Sequence, residues 1–125
     1  KALNVTSSKD YGTVSLGATS TQQTITITNT DNDGDLDPEI SQASTWTCTI
    51  GTIPIANLGW SITEGTSGTG HFKKTSTTSS GVGTNLSVST ANTNTASTAT
   101  IYTSLYMPTS GVAGSCTSTL TFTAA

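Results

Sequence analysis

The chain has 125 residues, four Lys, no Arg, seven acidic residues and a net charge of −3. With 9% charged residues against the roughly 25% of ordinary soluble domains, and with Lys73-Lys74 as its one basic pair, it lacks the cationic surface that a phosphate backbone requires. No apolar run approaches the ~20 residues of a membrane-spanning helix, and 30 Thr with 18 Ser describe β-strands with hydroxylated outer faces rather than helices.

The predicted elements alternate apolar and polar residues with period two. Leu3 and Val5 form a short N-terminal strand, set off from the next by Lys9-Asp10. Residues 1–10 can therefore act as a unit apart from a domain over 11–125. Such a segment is either an edge strand of its own sheet or a strand donated to a neighbouring molecule, with Leu3 and Val5 filling apolar pockets. The chain carries no charged-then-apolar leader, which fits a mature secreted chain or a cytosolic one. Val14 and Leu16 predict the second strand, and Ile25 and Ile27 within Thr-Ile-Thr-Ile-Thr the third.

Five of the seven acidic residues then fall in Asp31-Asn32-Asp33-Gly34-Asp35-Leu36-Asp37-Pro38-Glu39. Carboxylates at alternate positions repel one another, and the stretch holds no Lys or Arg. A hard divalent cation relieves this, because Ca²⁺ takes six to eight oxygen ligands. Counted from Asn29, the loop offers oxygens at Asn29, Asp31, Asp33, Asp35 and Asp37, with Gly34 at the sharp turn, as a calcium loop does. It departs from the EF-hand at the twelfth position, where Ile40 replaces the bidentate Glu, and it has no helical frame. Glu39, another segment or another subunit is expected to complete the set. The alternative is a solvated acidic turn.

Beyond the loop, Trp46/Cys48/Ile50 and Leu58/Trp60/Ile62 predict two strands with apolar inner faces. Gly65 to Gly83 reads as a long polar loop or a mobile hairpin. Strands resume at Leu86/Val88 and at Ile101/Thr103/Leu105. On the second face of the latter lie Tyr102 and Tyr106, either surface tyrosines or a contact face for another subunit. The last strand carries Leu120 and Phe122, in phase with Cys116. Cys48 and Cys116 both face the apolar side, where a disulfide would close a loop of about 70 residues worth roughly 4 kcal/mol in the chain-entropy model. Two buried thiols are the alternative; a bridge favours an extracellular setting. About eight strands with turns between them predict an all-β, two-sheet sandwich, jelly-roll or immunoglobulin-like.

Catalytic groups are sparse. His71 is the only histidine, it lies in the Gly-rich loop, and no Gly-x-Ser-x-Gly elbow accompanies it. Glu64 with a loop aspartate has no spacing that favours glycoside hydrolysis, so no enzymatic activity is expected. Asn4 and Asn85 begin Asn-x-Ser/Thr triplets that would permit glycosylation of a secreted chain.

Tyr-Gly-Thr-Val-Ser-Leu-Gly (11–17), Thr-Ile-Thr-Ile-Thr-Asn-Thr (24–30), the acidic loop, Trp46-x-Cys48 and the closing Thr-Phe-Thr (121–123) together resemble the secreted β-sandwich subunits that hyperthermophilic archaea build into extracellular fibres and tubes. The cannula proteins are the nearest in kind; TasA-like bundling pili and archaeal threads are related in design. The resemblance implies a homopolymer assembled by donor-strand complementation and promoted by Ca²⁺. Asp31, Asp33, Asp35, Asp37 and Glu39 would then hold the metal, and the Leu3/Val5 segment would be the donated strand. A monomeric calcium-dependent carbohydrate-binding module, with Trp46 and Trp60 as the sugar platform, is the competing expectation.

Overall fold

The computed structural model describes residues 3–6, 8–30, 37–61, 73–74, 80–81 and 98–124. Eleven strands are seen there: β1 (Leu3–Val5), β2 (Gln23–Asn29), β3 (Pro38–Gln42), β4 (Trp46–Ile50), β5 (Thr52–Ile53), β6 (Leu58–Ser61), β7 (Lys73–Lys74), β8 (Ser80–Gly81), β9 (Thr98–Leu105), β10 (Ala113–Thr117) and β11 (Leu120–Ala124). A single 3-10 turn, Ile55–Asn57, is the only helical element among the described residues. The fold is all-β, as the alternation predicts.

One layer is a five-stranded antiparallel sheet in the order β1-β2-β9-β6-β7. Its registers put Ile25 opposite Ile101, Ile27 opposite Ala99 and Val5, and Leu58 opposite Leu105. Because side chains alternate across the pleat, all these residues share the inner face. The Thr residues of Thr-Ile-Thr-Ile-Thr take the other, where Thr24 and Thr26 are exposed.

The opposing layer consists of two three-stranded sheets, β10-β4-β5 and β11-β3-β8. They behave as one sheet turned at a corner, since β3 runs into β4 and their partners β10 and β11 are likewise consecutive. At the corner five steps separate Gln42 from Thr47, while three separate their partners Leu120 and Thr117. The mismatch is pinned by hydrogen bonds. Gln42, fully buried, donates from Nε2 to Ser118 Oγ at 2.8 Å, and Ser118 donates to the Ser44 carbonyl at 3.2 Å.

Each half of this layer covers its own part of the core. Ile25, Ile27, Trp60 and Ile101 meet Ile40, with Leu120 and Phe122 alongside. Leu58 and Leu105 meet Cys48, Ile53 and Val112, with Tyr11 and Trp46 alongside. Leu120 touches both clusters.

Three predicted elements are corrected. Residues 11–16 form no strand: positive-φ Gly12 and Gly17 interrupt the extended backbone, and Leu16 is 54% exposed. The sequence from Cys116 to Phe122 is not one strand but two, broken at the corner. Ile50 faces solvent rather than the core, at 62% exposure, because Cys48 N–H donates to the Gly51 carbonyl and turns the chain there. The end of the acidic stretch is also more ordered than a loop, since Pro38–Gln42 pairs as β3 with β11 over its whole length. The strands predicted at Ile62 and at Leu86/Val88 lie outside the described residues.

Candidate functional site

The first candidate is the acidic loop. Asp31, Asp33 and Asp35 lie outside the described residues. Asn29 ends β2 with its side chain on the inner face, at 1% exposure and engaged within the fold. Asp37 is exposed just before β3. Glu39 is half-buried as the second residue of β3, opposite Thr123 on one side and Gly81 on the other. The pleat points it outward, away from Ile40. Asn29 and Glu39 thus stand on different layers, one facing in and one out. No three metal-ligating side chains come together among the described residues.

The second is the N-terminal strand. β1 lies at the edge of the five-stranded sheet, antiparallel to β2, with Leu3 opposite Asn29 and Val5 opposite Ile27. Leu3 and Val5 pack on the first core cluster, and Asn4 between them is exposed on the outer face. Thr6 continues the pairing: its N–H donates to the Thr26 carbonyl at 3.2 Å, and its Oγ accepts the Thr26 N–H at 3.1 Å. Asn85, like His71 and Glu64, lies outside the described residues.

Of the two tyrosines, Tyr102 is half-buried on the outer face of β9, and Tyr106 follows the strand at 40% exposure. Tyr106 is held through its backbone: its N–H donates to the Asn57 carbonyl at 2.9 Å, and Asn57 Nδ2 donates to its carbonyl at 3.0 Å. Cys48 and Cys116 form the disulfide, directly opposite each other on β4 and β10. The bridge therefore ties neighbours within one layer rather than layer to layer.

A feature that the period-two pattern does not disclose is the groove beside Tyr11. Two adjoining cavities of about 610 and 410 Å³ share Lys9, Tyr11, Trp46, Cys116 and Thr117 in their walls. The Tyr11 ring meets Trp46 edge-on, centroids 6.0 Å apart. Its hydroxyl lies 2.6 Å from Thr103 Oγ, and Thr103 in turn donates to the Gln23 carbonyl at 3.2 Å. A threonine hydroxyl has one hydrogen to give, so Tyr11 is the donor in the first bond. Burial raises the Tyr11 pKa above its ordinary 10.0. The one signal in the sequence is the tyrosine of Asp-Tyr-Gly, placed just past the N-terminal piece where an anchor is useful. Trp60 is 1% exposed and Trp46 half-buried against Tyr11, so the two form no shared exposed platform.

No protein-family model, curated protein or solved structure matches this chain. No helix among the described residues is long and apolar enough to cross a membrane.

Proposed function

We propose that this chain is a structural subunit of an extracellular filament or tube, assembling with copies of itself by donor-strand complementation and promoted by Ca²⁺. The observation that carries the reading is the form of β1. It is three residues long, sits at a sheet edge, and joins the core only through Leu3 and Val5. The next firm anchor is Tyr11, hydrogen-bonded to Thr103. A segment so built makes the same ladder with β2 whether it comes from its own subunit or a neighbour, and exchange keeps the β2 edge covered.

The carboxylates at Asp31, Asp33, Asp35 and Asp37, with Asn29 or Glu39, are the proposed calcium ligands. Extracellular calcium sites commonly bind at about 0.1–1 mM, so assembly would wait until the chain reaches a calcium-rich exterior. The intramolecular disulfide fits that location. The competing carbohydrate module is weakened by the burial of Trp60.

The test is electron microscopy of the full chain in millimolar CaCl₂ and in EDTA, beside a variant lacking residues 1–9. Filaments or tubes from the full chain in calcium alone, and none from a truncation that keeps its β-sheet circular dichroism, are expected. Elongation by the truncation removes the donor role, and equal assembly in EDTA removes the calcium role. Monomers throughout, with saturable glycan binding that EDTA abolishes, transfer the assignment to the carbohydrate module.

A further inference from the structure

β10 is an edge strand that carries almost nothing into the core. Of Ala113, Gly114, Ser115, Cys116 and Thr117, only Cys116 is not exposed. Its ladder to β4 is also interrupted. Three steps from Ala113 to Cys116 oppose two from Ile50 to Cys48, a bulge that leaves one residue without a ladder partner. Burial and regular pairing, which hold the other long strands in place, are both meagre here. Besides the ladder pairs of Ala113, Cys116 and Thr117 and the bond from Ser115 N–H to Thr49 Oγ at 3.2 Å, what ties the strand to β4 is the covalent bond from Cys116 to Cys48. On either side of the strand the chain is fastened independently: Val112 is buried in the second cluster, and Leu120 packs against both.

We infer that the Cys48–Cys116 disulfide is a redox-sensitive latch. Its reduction releases β10 from the edge of β4 while Val112, Leu120 and the five-stranded sheet stay in place. Access is uneven. Cys116 lines both cavities, whereas Cys48 is 9% exposed. A dithiol reductant therefore attacks Cys116 from the groove: its thiolate sulfur bonds to Cys116 Sγ, and the Sγ–Sγ bond breaks. Cys48 leaves as a thiolate and takes up a proton. The reductant's second thiol then displaces Cys116 and closes a cyclic disulfide. Two electrons have passed to the cystine, leaving two protein thiols. Once free, β10 uncovers the hydrogen-bonding edge of β4 beside Trp46, a surface onto which another strand can pair.

The experiment is hydrogen exchange read by mass spectrometry on the intact chain, before and after dithiothreitol, with maleimide labelling to verify two thiols. Amides of residues 113–117 and the facing residues of β4 are expected to exchange about tenfold faster or more after reduction, while β2 and β9 change less than about twofold. Protection should return on reoxidation. Equal acceleration in β2 and β9 would show a staple for the whole fold, and unchanged exchange in 113–117 would show a strand held by other means. Either result overturns the latch. The variant C48A/C116A, measured without reductant, must reproduce the reduced pattern.

Discussion

Tyr11 joins the two layers with one hydroxyl, and its chemistry sets a pH limit. The ring sits among second-cluster residues while the hydroxyl reaches Thr103 on β9. Tyr11→Phe keeps the ring and leaves Thr103 its bond to the Gln23 carbonyl. The expected loss is that of one hydrogen bond, about 0.5–1.5 kcal/mol, read as a lower urea midpoint with an unchanged slope. The folded chain favours the protonated phenol, because burial raises its pKa above 10.0. Below that value both states keep the proton and the stabilisation is intact. As pH rises past it the unfolded chain ionises first, binds fewer protons than the folded one, and stability falls until the folded phenol ionises too. Wild type should thus lose more stability above about pH 10 than Tyr11→Phe does. Parallel curves for the two proteins would place the alkaline sensitivity elsewhere.

At the scale of elements, backbone geometry decides what the alternation leaves open. Gly114 sits in the β10 bulge at φ +82°, and a Cβ there would run into the Thr49 side chain. That side chain cannot readily move aside, because its Oγ accepts the Ser115 N–H at 3.2 Å. Gly12 has a similar φ of +71°, but a Cβ added there would meet nothing within 4 Å. Gly12→Ala should cost about 1 kcal/mol, the left-handed penalty alone. Gly114→Ala should cost about 2–4 kcal/mol, since the collision adds to that penalty. Equal thermal shifts for the two would mean that the bulge yields. Such features explain what the sequence discloses and what it hides. β2 and β11 are legible because Ile, Leu or Phe alternates with Thr, and β9 because Ile101, Thr103 and Leu105 fall in one phase. β3 is not: its inner positions are Pro38, Ile40 and Gln42, and a buried glutamine looks like loop chemistry until Ser118 is seen to receive it. The corner between β10 and β11 is equally hidden, for Cys116 and Leu120 keep one phase straight through it. The pairing of Cys48 with Cys116 is legible from their shared apolar phase, whereas their direct opposition within one layer depends on a register that only the folded ladder sets.

At the scale of the whole molecule, the uneven distribution of charge gives the calcium reading a test that does not depend on assembly. Five of the seven acidic residues lie within residues 31–39, and all four lysines lie elsewhere. Repulsion among these carboxylates opposes any fold that holds them close, and two different remedies leave different traces. Plain salt screens the repulsion without regard to the cation; its Debye length is about 10 Å at 0.1 M. A built site instead rewards an ion of the right size and coordination number. With a Kd of about 0.1–1 mM, 10 mM Ca²⁺ stabilises the folded state by about 1.4–2.7 kcal/mol through mass action. For a chain of this length the unfolding entropy converts that into a Tm rise of about 5–10 °C. The comparison is calorimetry of the variant lacking residues 1–9, which is expected to stay monomeric, in 10 mM CaCl₂, in MgCl₂ of equal concentration and in NaCl of equal ionic strength. Mg²⁺ demands stricter octahedral geometry and gives up its water reluctantly, so a calcium loop predicts the full rise in Ca²⁺, a smaller one in Mg²⁺ and almost none in NaCl. Replacing Asp33 and Asp35 with Ala should abolish the calcium-specific part. It should also raise the Tm in the absence of calcium, because two of the repelling charges are gone. Equal rises in all three salts would reduce the loop to a screened acidic turn, and any polymer would then have to assemble on strand exchange alone.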